Sequence, residues 1–494
     1  MHVLMRFTDY GDILQHCQNN TRRPPHLTAR MRLVTLGAQK KPGVAGPGQP
    51  MGATFKVTVT AKESMKMRTR AALLLLRGGL VALLLAFSAV PARADSVCDP
   101  DGVQTSGSVY RICMPTSGYN GILVIWAHGF QDATESVGIP ENQLCVNGFC
   151  LPQLVNGLGF GFATNSYSKT GLAILQGQAD ILDLVKIFAA QKGQPQKVYL
   201  VGASEGGIVT ALNLEQHPDV FSAGLAACGP VGDFPFQINY FGDGRSTFEY
   251  FFPGVIPGDP FHPDDNLIAS WGSYYNQVVR PLLLDPANRH LLDQWAAVAK
   301  LPFDAANYLP TVEQSARDVL NYSVINLNDA VATLGGFPFE NRFRWYTGSD
   351  NDLLLNIFVP RAGADPATVA HMKTYYNTTG VLGRPLISLH TQKDQQVPFL
   401  HELIYNWKTL FAGSLFTRHI AIPVDRYGHC NFTQDEVLFS FAIMLLYDNL
   451  LVEVSGTESF FTPQELTAFE RRATAVGLPN RRGGSTLTFK LKKP

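Results

Sequence analysis

Between residues 95 and 231 the chain alternates short apolar runs with longer stretches whose apolar positions recur every three or four residues. The short runs predict strands and the longer stretches predict helices. The predicted strands lie at 109–114, 121–127, 159–166, 198–201 and 223–227, and the predicted helices at 176–191 and 205–216. Because the two types alternate, the pattern predicts an α/β fold, with a mostly parallel sheet covered by helices on both faces.

The alternation stops between residues 232 and 376, where helical patterns at 267–284, 288–299 and 311–333 predict an inserted helical cap. We expect this cap above the carboxyl ends of the strands, where ligands bind in open α/β sheets. Its first part is rich in aromatic residues, which either pack the cap onto the sheet or line an apolar acyl or aromatic pocket. They are Phe234, Phe236, Tyr240, Phe241, Phe248, Tyr250, Phe251 and Phe252.

The strand and helix pattern resumes after the cap. It predicts strands at 385–389 and 417–424, a helix at 400–411 and a closing apolar helix at 436–452. The sheet domain is therefore expected to comprise residues 95–231 and 377–494, with residues 232–376 forming the cap.

The N-terminal region predicts export. Basic residues precede two apolar blocks, and Ala92-Arg93-Ala94 follows them, as in a signal peptide that would occupy residues 65–94. The longer block, 80–90, is shorter than the ~20 residues that span a bilayer, so we expect a secreted or periplasmic protein without a stable membrane anchor. Residues 1–64 are expected to lie outside the mature protein, with translation starting at Met65 or Met67.

Six cysteines lie in the expected mature chain, and an oxidising compartment would favour their pairing. Six cysteines allow 15 connectivities. We favour the pairs Cys98–Cys113, Cys145–Cys150 and Cys228–Cys430. The last pair would hold the segment around residue 430 against the sheet. The alternative, a zinc site, lacks the usual Cys-x-x-Cys or His-x-x-x-His spacing, and we expect no metal or other cofactor.

The composition limits the classes of partner that the sequence predicts. The 494 residues include 40 Lys and Arg and 40 Asp and Glu, so the formal net charge is zero. A neutral chain gives no electrostatic reason to expect nucleic acid as a partner. Hydrophobic residues make up 46% and charged residues 16%, which is typical of a well-buried globular enzyme and not of a disordered chain.

The predicted strand at 198–201 leads into Gly202-Ala203-Ser204-Glu205-Gly206, and a predicted helix follows. A Gly-x-Ser-x-Gly turn between a strand and a helix lifts the serine hydroxyl above the sheet. The helix directs its positive end toward the place where negative charge would develop on a substrate. Such a motif is weak by itself, because glycine-rich turns are common. It gains weight from a base, an acid and an oxyanion donor elsewhere in the chain.

Those partners follow other predicted strands. Asp394 comes after the strand at 385–389, and His429 comes after the strand at 417–424. The order Ser204, Asp394, His429 is that of α/β-hydrolases. The sequence therefore resembles the α/β-hydrolase superfamily over residues 108–232 and 380–450. The Asp-x-x-Val-Pro and Gly-His-Cys segments resemble secreted serine esterases and prolyl-oligopeptidase-type hydrolases most.

The resemblance implies a role for each residue. Ser204 would be the nucleophile, His429 the general base and Asp394 the residue that orients the base. The backbone N–H groups of Glu205 and of Phe130 or its neighbour would form the oxyanion hole, with the Glu205 side chain exposed.

Further residues around this centre have supporting or competing roles. His128 and Gly129 would support the oxyanion loop, and His390 would lie behind the triad. The alternatives are His419 for the base, and Asp425, Asp350 or Asp352 for the acid.

The expected function is a secreted serine hydrolase that acts through an acyl-enzyme on carboxylic esters of small molecules or polymers. A serine peptidase of prolyl-oligopeptidase type is an alternative, because the same triad serves both reactions. A non-catalytic binding protein with this fold is a further alternative. Such proteins usually lack a triad member, whereas all three are present here.

Overall fold

The computed structural model describes residues 96–116, 118–146, 149–448, 451–454 and 489–491. The predicted signal peptide and residues 1–64 lie outside these residues. Within the described part of the chain, no helix combines the length and the apolar character that crossing a membrane requires.

A mixed sheet of nine strands forms the centre of the described structure, in the order β1-β3-β7-β4-β8-β9-β10-β11, with β2 beside β3. The strands in chain order are β1 (Ser96–Cys98), β2 (Gly102–Val103), β3 (Val109–Pro115), β4 (Ile122–Ala127), β5 (Cys145–Val146), β6 (Phe149–Cys150), β7 (Gly161–Asn165), β8 (Lys197–Ala203), β9 (Ala223–Ala227), β10 (Leu386–Lys393), β11 (His419–Tyr427), β12 (Leu451–Val454) and β13 (Phe489–Leu491). From β7 to β11 all neighbours are parallel, whereas β3 pairs antiparallel with β1, β2 and β7. The mostly parallel sheet is therefore confirmed.

Helices cover the two faces of this sheet and also form much of the segment between β9 and β10. In chain order they are α1 (Glu141–Leu144), α2 (Leu151–Gly157), α3 (Ile174–Lys192), α4 (Glu205–Gln216), α5 (Phe234–Phe251), α6 (Asp265–Tyr274), α7 (Arg280–Leu284), α8 (Arg289–Val298), α9 (Tyr308–Ile325), α10 (Leu327–Leu334), α11 (Asp352–Phe358), α12 (Pro366–Tyr375), α13 (Leu400–Phe411) and α14 (Gln434–Tyr447). A π-helical turn, Tyr275–Val279, joins α6 to α7.

The two faces of the sheet carry separate apolar layers. Leu123 and Ile125 point to the layer that contains α3 and α4, whereas Val124 between them points to the layer that contains α14. Successive side chains of a strand face opposite sides, so a strand covered on both sides is apolar at nearly every position. This explains why the central strands were visible in the sequence as continuous apolar runs.

The helices α5 to α12 come between β9 and β10 along the chain. Residues of α5 to α9 and of α11 share an apolar core around Trp271 and Trp295, whereas the buried apolar residues of α10 and α12 belong to the layer that contains α3 and α4. Polar contacts join the segment between β9 and β10 to loops of the sheet. Lys169 Nζ lies 2.8 Å from Asp329 Oδ1 on α10, and Asn326 Nδ2 donates to Asp132 Oδ1 at 3.0 Å. These contacts hold α10 against the loops that leave the sheet.

The aromatic residues of the insertion divide between the two expected roles. Phe248, Phe251 and Phe252 are buried in its apolar core, and Phe234 packs against Tyr376 in the core of the sheet domain. Phe234 also lines the pocket beside Ser204, as does Phe241.

Two predicted helices differ in the structure. The helix at 311–333 is two helices that are separated at Asn326, because the amide of this residue bonds to the loop at 132–133 instead of facing the solvent. The closing helix begins at Gln434 behind a Thr433–Glu436 capping box and ends at Tyr447, and residues 451–454 form β12. The prediction to 452 was wrong because a short apolar run does not distinguish a helix from a strand.

Candidate active site

Ser204 occupies a strained turn between β8 and α4. Its backbone angles are φ 58° and ψ −123°, which a non-glycine residue adopts at a cost of about 1–3 kcal/mol. The turn also brings backbones into direct contact: a Cβ on Gly202 would collide with the carbonyl oxygen of Gly206, and a Cβ on Gly206 with that of Ala127. The two glycines of the motif are therefore required by packing, and the turn places the serine hydroxyl above the sheet.

The structure brings together Ser204, His429 and Asp394. His429 Nε2 lies 2.8 Å from Ser204 Oγ, and His429 Nδ1 lies 2.8 Å from Asp394 Oδ2. The three follow β8, β10 and β11, whose carboxyl ends meet at one edge of the sheet. Because the Asp394 carboxylate accepts the Nδ1 proton, Nε2 is left to accept the serine proton.

Asp394 is fully buried and well supplied with donors. Its Oδ1 accepts the backbone N–H groups of Gln396 and Val397, each at 2.9 Å. Burial alone would raise the pKa of this carboxyl, but the neighbouring charge of His429 and hydrogen bonds from His390 and His429 hold it well below its usual range. Asp394 is therefore ionised in the folded protein at neutral pH.

The competing residues lie elsewhere. Asp425 is exposed and lies 3.2 Å from Lys393. Asp350 and Asp352 bond to other residues of the insertion. His419 is buried, and its nitrogens contact hydroxyl groups away from Ser204. None of these residues contacts the serine within the described structure.

The expected oxyanion donors flank Ser204. Glu205 is the first residue of α4, and the loop that holds Phe130 packs on the serine, since a Cβ on Gly129 would lie 3.1 Å from Ser204 Cβ. No described residue accepts a hydrogen bond from the backbone N–H of Glu205 or Phe130. Both N–H groups are thus available to a ligand.

Gln143 positions this loop and was missed by the sequence analysis. Its Oε1 accepts the Gly129 backbone N–H at 2.6 Å. Gln143 lies on the short helix α1, between β4 and the Cys145–Cys150 pair. No local sequence signal marks a side-chain contact of this kind.

His128 is a structural residue of the same loop. Its Nδ1 donates to the Gly129 carbonyl at 2.6 Å, and its ring stacks on Tyr167, with centroids 3.9 Å apart. Burial lowers the pKa of His128 to about 4, so the ring is neutral at physiological pH. It therefore supports the loop and carries no proton to the serine.

The Glu205 side chain was expected to be exposed, and this is wrong. It is only 6% exposed, and its Oε1 accepts the Ala173 backbone N–H at 2.8 Å. The loop between β7 and α3 covers the first turn of α4, which explains the burial. Burial raises the pKa of Glu205 to about 8, so the carboxyl group beside Ser204 is largely neutral near pH 7.

Two pockets meet at Ser204. The first has a volume of about 940 Å³ including its mouth, and its lining is mostly apolar. Its apolar walls include Phe130, Ile174, Phe234, Ile238, Phe241 and Phe339. The second has a volume of about 1340 Å³, also open to solvent, and extends past His429 and Gln143. A substrate bound at Ser204 could place one group in each of the two pockets.

The described cysteines form three disulfides, and these are the favoured pairs Cys98–Cys113, Cys145–Cys150 and Cys228–Cys430. Cys228 follows β9, and Cys430 is the residue after His429. The third disulfide therefore anchors the histidine loop to the centre of the sheet. Cys228, Cys430 and His429 also lie within metal-ligand distance of one another, but bonded cysteines supply no thiolate for a metal.

We expect the double substitution Cys228→Ala and Cys430→Ala to lower the free energy of unfolding by about 2–5 kcal/mol, because the bridge closes a loop of 202 residues. Chemical denaturation measures this loss. The Cys145–Cys150 disulfide joins residues only five positions apart. The matching double substitution there should therefore lower the free energy of unfolding clearly less. Equal losses in the two variants would contradict the argument from loop length.

Comparisons with known proteins bear on the same region. A sequence model of the prolyl oligopeptidase family matches residues 156–234, which include Ser204. No curated protein matches the chain. Among solved structures, Pyrococcus horikoshii acylaminoacyl peptidase is 11% identical with a TM-score of 0.35, and the match covers 72% of this chain and 41% of that one. The chain thus spans about two fifths of that peptidase.

Two smaller proteins match over most of their length. Candida antarctica lipase A in its closed state is 13% identical with a TM-score of 0.40, and the match covers 73% of this chain and 80% of that one. A Pyrococcus furiosus esterase is 11% identical with a TM-score of 0.36, covering 72% and 91%. The strand order, the turn at Ser204 and the family match confirm the expected resemblance: the chain has the α/β-hydrolase fold, and prolyl-oligopeptidase-type proteins are among those that it resembles.

Proposed function

We propose that this protein is a serine hydrolase that acts through an acyl-enzyme, with carboxylic esters as its substrates. The observation that carries the proposal is the chain of contacts from Ser204 Oγ through His429 to Asp394, each 2.8 Å long. A serine hydroxyl is a weak nucleophile unless a base contacts it, and a base needs the correct tautomer. The contact of His429 with Ser204 supports the first condition, and its contact with Asp394 supports the second.

The reaction would proceed in two halves. Ser204 Oγ attacks the ester carbonyl carbon while His429 Nε2 takes the serine proton, and Asp394 stabilises the resulting imidazolium. His429 then gives this proton to the leaving alcohol, and the acyl group stays on Ser204. In the second half water attacks the acyl-enzyme by the same route, which releases the acid and restores the serine.

The negative oxygen of each tetrahedral intermediate would lie between the backbone N–H groups of Glu205 and Phe130. Both N–H groups lack acceptors among the described residues, and the first lies at the N-terminus of α4, where the helix dipole favours negative charge. A neutral Glu205 side chain suits this place, because a carboxylate there would oppose the developing charge.

Esters are favoured over peptides by the apolar pocket beside Ser204. Its walls fit an acyl chain or ring, and Glu205, an acidic residue in its lining, is held largely neutral by burial. A free substrate amine would therefore find little negative charge at Glu205. The family match favours the second candidate, a serine peptidase of prolyl-oligopeptidase type.

Export is part of the proposal. The three disulfides are compatible with an oxidising compartment outside the cytosol, in agreement with the predicted signal peptide. One of these disulfides, Cys228–Cys430, joins the His429 loop to the residue after β9.

A panel of p-nitrophenyl esters and aminoacyl p-nitroanilides tests the substrate class. We expect kcat/KM for the esters to rise about fourfold per added methylene until the acyl pocket is filled, because each buried methylene contributes about 0.8 kcal/mol. Anilides should react far more slowly. Turnover of anilides alone would replace the ester proposal by the peptidase.

A further inference from the structure

A second group of charged side chains lies behind Asp394, away from Ser204. His390, on β10, has its Nδ1 3.3 Å from Glu402 Oε1 and its Nε2 3.5 Å from Asp394 Oδ2. The side chains of His390 and Asp394 are fully buried, and that of Glu402 is 2% exposed. The His390 ring therefore separates two carboxylates that water does not reach.

Backbone and hydroxyl contacts fix the position of this ring. Nε2 also donates to the Val397 carbonyl at 2.9 Å, and Glu402 Oε2 accepts the Ser388 hydroxyl at 2.6 Å. The Phe399 ring packs edge-on against the imidazole. Both ring nitrogens thus face oxygen acceptors, which is the environment of a doubly protonated imidazole.

Among the buried ionisable groups around Asp394, His390 is the one that carries a positive charge near pH 7. The other ionisable groups here are Asp394 in the loop after β10, His401 and Glu402 on α13, His419 on β11 and His429 in the loop after it. Burial lowers the pKa of His419 to about 4 and that of His401 as well, so both are neutral near pH 7. Burial opposes the charge on His390 too, but hydrogen bonds to Asp394 and Glu402 raise its pKa to about 10.

We propose that His390 is a positioning residue of the hydrolase: an imidazolium, held by Glu402, that keeps Asp394 ionised and directed at His429. This inference rests on the proposed function, because Asp394 matters to catalysis only if the triad works. Without the cation, Asp394 and Glu402 would be two buried carboxylates in one cluster, and such pairs retain a proton.

The protonation of Asp394 has a defined effect on activity. A protonated Asp394 no longer stabilises the imidazolium of His429, so kcat/KM falls. Removal of the His390 charge leaves Asp394 and Glu402 as buried carboxylates that share a proton. This raises the pKa of Asp394 from well below its usual range into the pH range of the measurement, and the acid limb of the kcat/KM–pH profile moves upward. A residue that only fills space would lower activity without moving this limb.

The test compares His390→Gln, Glu402→Gln and the double variant by kcat/KM between pH 4 and 10. In His390→Gln we expect the acid limb to move up by about one pH unit or more. In the double variant the limb should return close to that of the wild type, because the second carboxylate has also been removed. Glu402→Gln, the matched control, alters the same buried cluster and keeps the cation, so its limb should not move upward.

A readout that does not require catalysis separates this inference from the proposed function. Histidine-selective ¹⁵N NMR, with His390→Gln used for assignment, should show the His390 ring protonated on both nitrogens at pH 8. A neutral His390 ring at pH 8, or an acid limb that stays in place in folded His390→Gln, would overturn the inference. An inactive wild type with a charged His390 would instead overturn the proposed function.

Discussion

Replacing Ser204 by alanine is expected to lower kcat for the best p-nitrophenyl ester by about 10⁵–10⁶-fold. The substitution removes the attacking oxygen but leaves the pocket and the two oxyanion N–H groups. Only the weak acceleration due to binding and electrostatics should remain. Steady-state kinetics, with the uncatalysed rate subtracted, measure the loss.

Ser270→Ala is the matched control for this variant. Ser270 lies exposed on α6, and its hydroxyl bonds to the carbonyl of Asn266. The same chemical change there should leave kcat unchanged. A Ser204→Ala protein that is folded and retains more than about a hundredth of the wild-type kcat would contradict the assignment of the nucleophile, because losses at a triad serine are far larger.

Replacing Asp394 by asparagine is expected to lower kcat by about 10⁴-fold. The asparagine amide has nearly the same shape, but its N–H₂ group would face His429 Nδ1 and favour the tautomer that carries the proton on Nε2. That tautomer cannot accept the Ser204 proton. The measurement is kcat against pH with the same ester.

Asp425→Asn provides the control for the acid. Asp425 lies only four residues before His429 in the sequence, yet its side chain is 75% exposed and pairs with Lys393. We expect a change in kcat of less than about twofold, because exposed ion pairs contribute little. A large loss in Asp425→Asn together with an active Asp394→Asn would exchange the roles of the two residues.

The sequence predicted those elements and site residues that local patterns determine. Apolar runs identified the parallel strands, since a strand buried on both faces is apolar at nearly every position. Asp394 was favoured over Asp425 because it follows a strand, and side chains at the carboxyl ends of neighbouring parallel strands meet. In the structure Asp394 directly follows β10, whereas Asp425 lies within β11. Helix α4, Glu205–Gln216, was predicted with the bounds that the structure has, because the glycine-rich turn marks its start.

The features that the sequence did not reveal depend on contacts between distant segments. The burial of Glu205 results from a backbone N–H of Ala173, 32 residues away. Gln143, which accepts the hydrogen bond from Gly129, lies on a helix of only four residues. The pairing of His390 with Glu402 requires β10 and α13 to pack together. None of these contacts has a periodic pattern from which it could be predicted.

The central claim is that Ser204 is a reactive nucleophile, and covalent labelling tests it most directly. The disulfide-bonded protein is treated with a fluorophosphonate probe, and intact-mass and peptide mass spectrometry locate the adduct. We predict one probe per chain, bound to Ser204, and no labelling of Ser204→Ala under the same conditions. Absence of labelling in the folded wild type, or an adduct on another residue that persists in Ser204→Ala, would contradict the claim.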